Sequence, residues 1–109
     1  MNLSSYETAQ TCVISVNEPR IDAAVAIQFK DRMRETTDNA GARIVLDLGQ
    51  VDFIDSSGLG AIVAAMKQLG ANRRLDLAAL NPNVDKVFRL TRMDRVFHIF
   101  DTLEDALAL

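Results

Sequence analysis

The feature that most constrains the fold is a strand–helix–strand pattern in the middle of the sequence. Two apolar segments with strand character, 42–48 (ARIVLDL) and 73–80 (RRLDLAAL), flank a helix-like segment at 57–69. A unit of this kind places its two strands parallel in one sheet, joined by a right-handed crossover. Because 42–48 is the more apolar strand, we expect it at the centre of the sheet.

Two further elements precede this unit. The short β-branched segment TCVISV (11–16) predicts a strand, and SYET (5–8) predicts a frayed first strand paired with it. Apolar residues then recur every four positions and predict a helix over 22–38, with Asp22 as its N-cap. The recurring residues are Ile21, Val25, Phe29 and Met33.

Three further elements follow the central unit. Asn81 and the proline after it predict the start of a third helix, and RVFHIF (95–100) predicts a last strand. The nine residues from 101 to 109 predict a closing helix, with Thr102 and Asp105 at capping-box spacing. The predicted fold is an α/β single domain over 1–109 in the order β-β-α-β-α-β-α-β-α. It has a small mixed sheet of about five strands and about four helices.

The charge and cysteine content exclude several classes of function. Twelve basic against fifteen acidic side chains give a net charge of −3, which argues against a dedicated nucleic-acid surface. Cys12 is alone, so no internal disulfide is expected, and one histidine with one cysteine makes no metal-ligand pattern. Neither a signal peptide nor a run of about 18 apolar residues is present, so we expect a cytoplasmic protein, monomeric when free.

The junction before the helix at 57–69 reads Asp55-Ser56-Ser57-Gly58. A helix N-terminus presents unpaired N–H groups and the positive end of the helix dipole. Asp55 or Ser56 therefore has an ordinary structural interpretation as the N-cap, a contribution of about 1 kcal/mol.

Several features of the junction go beyond what a cap requires. There are two adjacent hydroxyls, the carboxylate of Asp55 lies beside Ser56, and Gly58 and Gly60 leave the first turn open to another protein. No charged residue occurs from Ser56 to Met66, although an exposed helix face is usually charged.

We expect the core stripe of this helix to consist of Leu59, Ile62, Val63, Met66 and Leu69. The opposite face is then small and neutral, which is typical of a surface that binds a partner. Its residues are Gly60, Ala61, Ala64, Ala65 and Gln68.

Enzymatic interpretations lack essential residues. In GLGAIV, Val63 occupies the third glycine position of a dinucleotide fingerprint, and neither a Gly-x-Ser-x-Gly elbow nor a Walker lysine is present. His98 is the one imidazole that could serve as a base for a serine nucleophile, and its apolar segment favours a core or edge histidine. Ser56 is better interpreted as a substrate than as a nucleophile, and we expect no enzymatic activity.

The sequence IVLDLGQVDFIDSSGLGAIVAAMKQLG resembles the signature of bacterial anti-sigma-factor antagonists, the small stand-alone STAS domains. RIDAAVAIQFKDRM resembles the entry to the first helix in that family, although NEPRIDA replaces the usual Gly-Glu-Leu-Asp-Ala. NPNVDKVFRLTRMDRVFHIF resembles the segment in which a short helix leads into the last strand. The resemblance covers roughly residues 11–109 and implies the STAS fold.

The resemblance implies a partner-switching role. The unphosphorylated protein would bind a GHKL-type serine kinase that is also an anti-sigma factor, and so release its client. The kinase would use ATP, with no cofactor in this chain, to phosphorylate Ser56 (Ser57 being the second choice), and a PP2C-type phosphatase would reverse the modification. Asp55 matches the Asp of the motif, which Gly58 and Gly60 support, and Asp22 matches the Asp that opens the first helix in that family. The expected partner contacts are Ser57, Leu59, Ala61, Ala64, Ala65 and Gln68.

Two alternatives remain open at this level. In the first alternative, the chain is a STAS subunit of another assembly, such as a lipid-transport complex or a signalling scaffold, in which the motif helix docks without phosphorylation. Alternatively, the helix N-terminus holds the phosphate of a bound nucleotide. The absence of a lysine in the motif disfavours the second alternative.

Overall fold

The computed structural model describes residues 1–108 and has a central five-stranded sheet. Its strands are β1 (Leu3–Glu7), β2 (Thr11–Val16), β4 (Arg43–Asp47), β6 (Arg74–Ala78) and β7 (Ile99–Phe100). A separate two-stranded sheet pairs β3 (Arg20–Ile21) with β5 (Phe53–Ile54). The helices are α1 (Ala26–Thr37), α2 (Ser56–Leu69), α3 (Pro82–Leu90) and α4 (Leu103–Leu107), with a 3₁₀ turn at Met93–Arg95.

The central sheet has the strand order β1-β2-β4-β6-β7. β1 is antiparallel to β2, and the other neighbours are parallel, so the sheet is mixed, as predicted. β4 is the middle strand, and α2 connects it to the parallel strand β6. The α/β fold, the five strands, the four helices and the central crossover unit are therefore confirmed.

The core lies mainly on one face of the sheet. Side chains of α1, α2 and α3 pack there against the β2, β4 and β6 residues that point the same way, with Phe29, Ile62 and Phe88 fully buried. On the other face, Ala106 of α4 covers Val45 and Ala78. Cys12 is buried in the main core; burial, and to a smaller extent the charge of Glu7, raises the pKa of its thiol. None of the helices described is long and apolar enough to cross a membrane.

Two local predictions differ from the structure, and one pair of strands was not predicted. α1 begins at Ala26, so Asp22 is not its N-cap; Asp22 instead accepts a hydrogen bond from the N–H of Ala24 and starts a turn. The predicted strand 95–100 is reduced to Ile99–Phe100, because the chain first makes a 3₁₀ turn that buries Phe97 edge-on against Phe88. The β3–β5 pair was not predicted.

Candidate functional site

The β3–β5 pair positions the site. Its two strands are parallel, with Ile21 opposite Ile54, so the residues that follow each strand lie at the same edge. The carbonyl of Ile21 accepts a hydrogen bond from the N–H of Asp55 at 3.4 Å. Asp22 and Asp55 thus emerge side by side. They are distant in the sequence, since Ala23, the residue after Asp22, precedes Asp55 by 32 positions.

Asp55 is the N-cap of α2 and also holds the chain before α1. Its Oδ1 accepts a hydrogen bond from the N–H of Gly58 at 2.8 Å, and its Oδ2 accepts one from the N–H of Ala23 at 3.1 Å. The bond from Gly58 is the main cause of a lowered pKa at Asp55. Both carboxylate oxygens therefore bind backbone N–H groups, and within residues 1–108 neither forms a hydrogen bond with the hydroxyl of Ser56.

We expect Asp55→Asn to reduce stability more at neutral than at acidic pH. The folded-state pKa of Asp55 is below its ordinary value, so its stabilising contribution is complete above about pH 5 and is lost as the pH falls through about 4 to the lower folded value. Asparagine is also a good N-cap, but its amide nitrogen cannot accept the second N–H group and its side chain carries no charge. The variant should therefore melt roughly 3–6 °C below the wild type at pH 7, and this difference should shrink at pH 3.

Asp31→Asn is the matched control for thermal melting at the two pH values. Asp31 is exposed on α1 and makes no side-chain hydrogen bond or ion pair within residues 1–108. A melting difference for Asp55→Asn that is equally large at pH 7 and pH 3 would contradict the assignment of the ionised Asp55 carboxylate as the N-cap of α2.

Gly58 is buried where α2 passes β3. A Cβ atom at this position would overlap the carbonyl oxygen of Ile21, so α2 and β3 approach each other as closely as they do because residue 58 has no side chain. The expectation that Gly58 leaves room for another protein is therefore wrong, since the space is filled by the chain's own strand. Around Gly60, by contrast, no atom other than those of the adjoining residues and the helix's own backbone lies within 4 Å of the Cβ position, and this part of the helix is open.

Ser56 and Ser57 are exposed in the first turn of α2. Within residues 1–108 neither hydroxyl makes a hydrogen bond, so neither serine is used as the cap; Asp55 has that role. The hydroxyl of Ser56 therefore lies at the positive end of a 14-residue helix, where an added anion is favoured by the N–H groups and the dipole.

The outer face of α2 differs from the predicted face. Ala61 and Ala65 are buried, at 2% and 5% exposure, because α2 packs against α1 as well as against the sheet and needs small residues at that contact. Their predicted role as partner contacts is therefore wrong. Gly60 and Gln68 are exposed, and Leu59 and Ala64 are partly exposed. For these residues and Ser57, partner binding stays a prediction.

An exposed aromatic residue lies beside the motif and was missed in the sequence. Phe53 is 41% exposed, and the guanidinium of Arg20 lies 4.3 Å from the centre of its ring while also pairing with Asp22 at 3.1 Å. Arginine and aromatic residues are frequent at the energetic centres of protein interfaces. The available signal was the position of Phe53, two residues before Asp55.

Neither a metal site nor a serine–histidine pair is formed by residues 1–108. No group of three or more His, Cys, Asp or Glu side chains in this range converges on a point. His98 is an exposed residue near the sheet edge, in agreement with its interpretation as an edge histidine. Its Nδ1 lies 3.0 Å from the guanidinium of Arg74, and its ring stacks on Phe100 at 4.2 Å.

Comparison with known proteins relates this geometry to one family. The STAS domain profile matches residues 2–106. BtrV of Bordetella bronchiseptica, a candidate anti-sigma factor antagonist by name, is 33% identical over 89 residues, which are 81% of this chain and 77% of BtrV. The anti-sigma-F factor antagonist RsfB of Mycobacterium tuberculosis is 28% identical over 80% of this chain and 71% of its own length. A crystal structure of an anti-sigma factor antagonist from Mycobacterium paratuberculosis superposes with a TM-score of 0.87 and 26% identity, over 98% of this chain and 91% of that chain.

Proposed function

We propose, since this chain belongs to the STAS domain family, that it acts as an anti-sigma factor antagonist, a regulatory protein that binds an anti-sigma factor. The names of BtrV, RsfB and the M. paratuberculosis protein support this role. In this role the chain acts by binding rather than by catalysis, in the cytoplasm.

The binding is controlled by phosphorylation of Ser56. The partner is a GHKL-type serine kinase that is also the anti-sigma factor; it binds the unmodified chain and releases its client. The kinase then transfers the γ-phosphoryl group of ATP to the Ser56 oxygen, the serine proton is lost and ADP leaves. A PP2C-type phosphatase hydrolyses the phosphoserine. The observation that carries this proposal is the exposed, unbonded Ser56 hydroxyl at the N-terminus of α2.

The same geometry explains how a phosphate would end the association without unfolding the chain. The phosphate adds about −1.5 to −2 charges, which the N–H groups and dipole at the start of α2 tolerate. A docked partner would enclose that charge beside Asp55, whose pKa is lowered and whose carboxylate is therefore ionised at neutral pH, and near Asp22. Repulsion within a contact from which water is excluded opposes binding.

The test is phosphorylation by a GHKL-type kinase of the same genome that binds the chain. After incubation with the kinase and ATP, intact-mass measurement should show one added phosphoryl group, placed on Ser56 by fragmentation of the motif peptide. Ser56→Ala should abolish the gain and Ser57→Ala should retain it. An unmodified wild-type chain that still binds the partner would favour the alternative of a STAS subunit that docks without phosphorylation.

A further inference from the structure

Four of the eight basic side chains that make no ion pair with a carboxylate in residues 1–108 lie around the C-terminal half of α2, the end away from Ser56. Lys30 and Arg34 of α1, Lys67 of α2 and Arg73 after α2 make no ion pair with a carboxylate in residues 1–108. We name these four residues the basic end. The clustering contrasts with the composition, because acidic residues outnumber basic ones by fifteen to twelve in the whole chain.

The basic end borders two depressions on either side of α2. A small recess of about 50 Å³ is lined by Lys30, Arg34, Ala64 and Gln68 among others. On the other side of the helix, a cleft of about 630 Å³ is lined by Lys67 and Arg73, with apolar contributions from Met66, Leu75 and Val96. Asp76 also lines it, but its carboxylate is paired with Arg43 and Arg74, so the charge that remains is positive. Val96 is 47% exposed, so the cleft combines cationic and apolar surface.

Arg73 is held in a fixed position by two backbone carbonyls, without a carboxylate partner in residues 1–108. Its guanidinium donates hydrogen bonds to the carbonyl of Thr37 at 2.6 Å and to the carbonyl of Leu69 at 3.4 Å. These carbonyls belong to the last turns of α1 and α2, so Arg73 satisfies two helix ends. The negative ends of the two helix dipoles offset part of its charge, but no carboxylate in residues 1–108 pairs with it. Ile27, which is 69% exposed, extends the apolar surface on the face of α1 that carries Lys30 and Arg34.

We propose that the basic end binds an acidic segment of the same anti-sigma factor that docks at Ser56. The inference rests on the proposed function, since it assigns a second contact to that partner. Lys67 lies 11 residues after Ser56, about 16 Å along the helix, and a standard interface of about 800 Å² per partner extends further than this. The site around Ser56 carries Asp55 and Asp22, of which only Asp22 is paired within residues 1–108, with Arg20, so the face of α2 runs from a net acidic to a basic end. A partner with the opposite order of charges fits it in one orientation only.

The test is the affinity of the anti-sigma factor for a charge-reversed variant at two salt concentrations. Lys30→Glu/Lys67→Glu should weaken binding about tenfold at ~50 mM salt, mainly through slower association, and the loss should shrink at ~1 M salt. The matched control, Arg32→Glu/Arg92→Glu, makes the same change of charge at exposed positions that border neither depression. It should bind within about twofold of the wild type, and both variants should melt close to it.

The outcomes separate this inference from the proposed function. If Ser56→Asp binds weakly but Lys30→Glu/Lys67→Glu binds as the wild type does, the inference alone is overturned. Equal losses of affinity for the basic-end variant and its control would also overturn the inference, because the net charge of the chain would then explain both losses. Binding of a labelled DNA duplex at the basic end, with the partner unaffected by the reversal, would identify a different occupant. A wild-type chain that binds no anti-sigma factor of its genome would overturn the proposed function and this inference together.

Discussion

Phosphorylation of Ser56 is expected to weaken binding of the anti-sigma factor about 10²–10³-fold, and Ser56→Asp about tenfold or more, whereas Ser56→Ala should bind constitutively. The phosphate places nearly two negative charges where the structure already holds Asp55 and Asp22. A repulsion of about 3–4 kcal/mol in a contact without water gives a loss of that size. Aspartate adds one charge on a shorter side chain, so its effect is smaller.

The measurement is the equilibrium affinity of each variant for the partner, by calorimetry or by surface-based kinetics. Ser5→Asp is the matched control: Ser5 is exposed on β1, and its hydroxyl makes no side-chain hydrogen bond in residues 1–108. The same substitution there should leave the affinity unchanged. Thermal melting should show that Ser56→Asp is folded, because the start of α2 tolerates an acidic residue. Equal affinities of Ser56→Ala and Ser56→Asp for the partner would contradict the proposed control of binding by phosphorylation of Ser56.

The elements that the sequence predicted are those with a long or strongly apolar pattern. The segments 42–48 and 57–69 agree with β4 and α2 to within one residue at each end. Each has enough residues for the period of its side chains to be recognised, and Gly70 marks the end of α2 with a positive φ of 80°. The position of Ser56 at the start of a helix followed from the same pattern.

The parts that the sequence did not predict depend on contacts between distant residues. β3 and β5 have two residues each, too few for a period, and each exists because the other is beside it. The start of α1 was placed too early at Asp22, because the chain first makes a turn in which the N–H of Val25 bonds to the carbonyl of Asp22. The N–H of Ala23 within this turn bonds to the distant carboxylate of Asp55. That hydrogen bond cannot be deduced from the local sequence around Ala23.

The face of α2 was partly misassigned for a different reason. With no charged residue before Lys67, the helix has little contrast between its two sides, and a stripe through Leu59 and Met66 fits almost as well as one through Ala61 and Ala65. The packing of α1 decides between them, since small residues allow two helices to come close. The sequence therefore placed Ser56 correctly at the start of the helix, whereas it misassigned part of the surface around it.

Gly58→Ala is expected to destabilise the fold by about 2–3 kcal/mol, which lowers the melting temperature by roughly 10–20 °C. The added methyl group would overlap the backbone carbonyl of Ile21 and lie 3.0 Å from Cγ1 of Ile54. A backbone carbonyl has no alternative rotamer, so α2 and the β3–β5 pair must separate. The free-energy cost of that movement exceeds the stabilisation of up to about 1 kcal/mol that alanine normally brings inside a helix.

Gly60→Ala is the control, because it makes the same change two residues further along the same helix. Nothing other than the adjoining residues and the helix's own backbone lies within 4 Å of the new methyl group, so the helix preference acts alone and the melting temperature should rise by about 2–6 °C. The opposite signs of the two substitutions distinguish a close approach from a general effect of glycine in α2. If Gly58→Ala melted at or above the wild-type temperature, β3 would not hold α2 in place. The proposed positioning of Ser56 by the β3–β5 pair would then lose its basis.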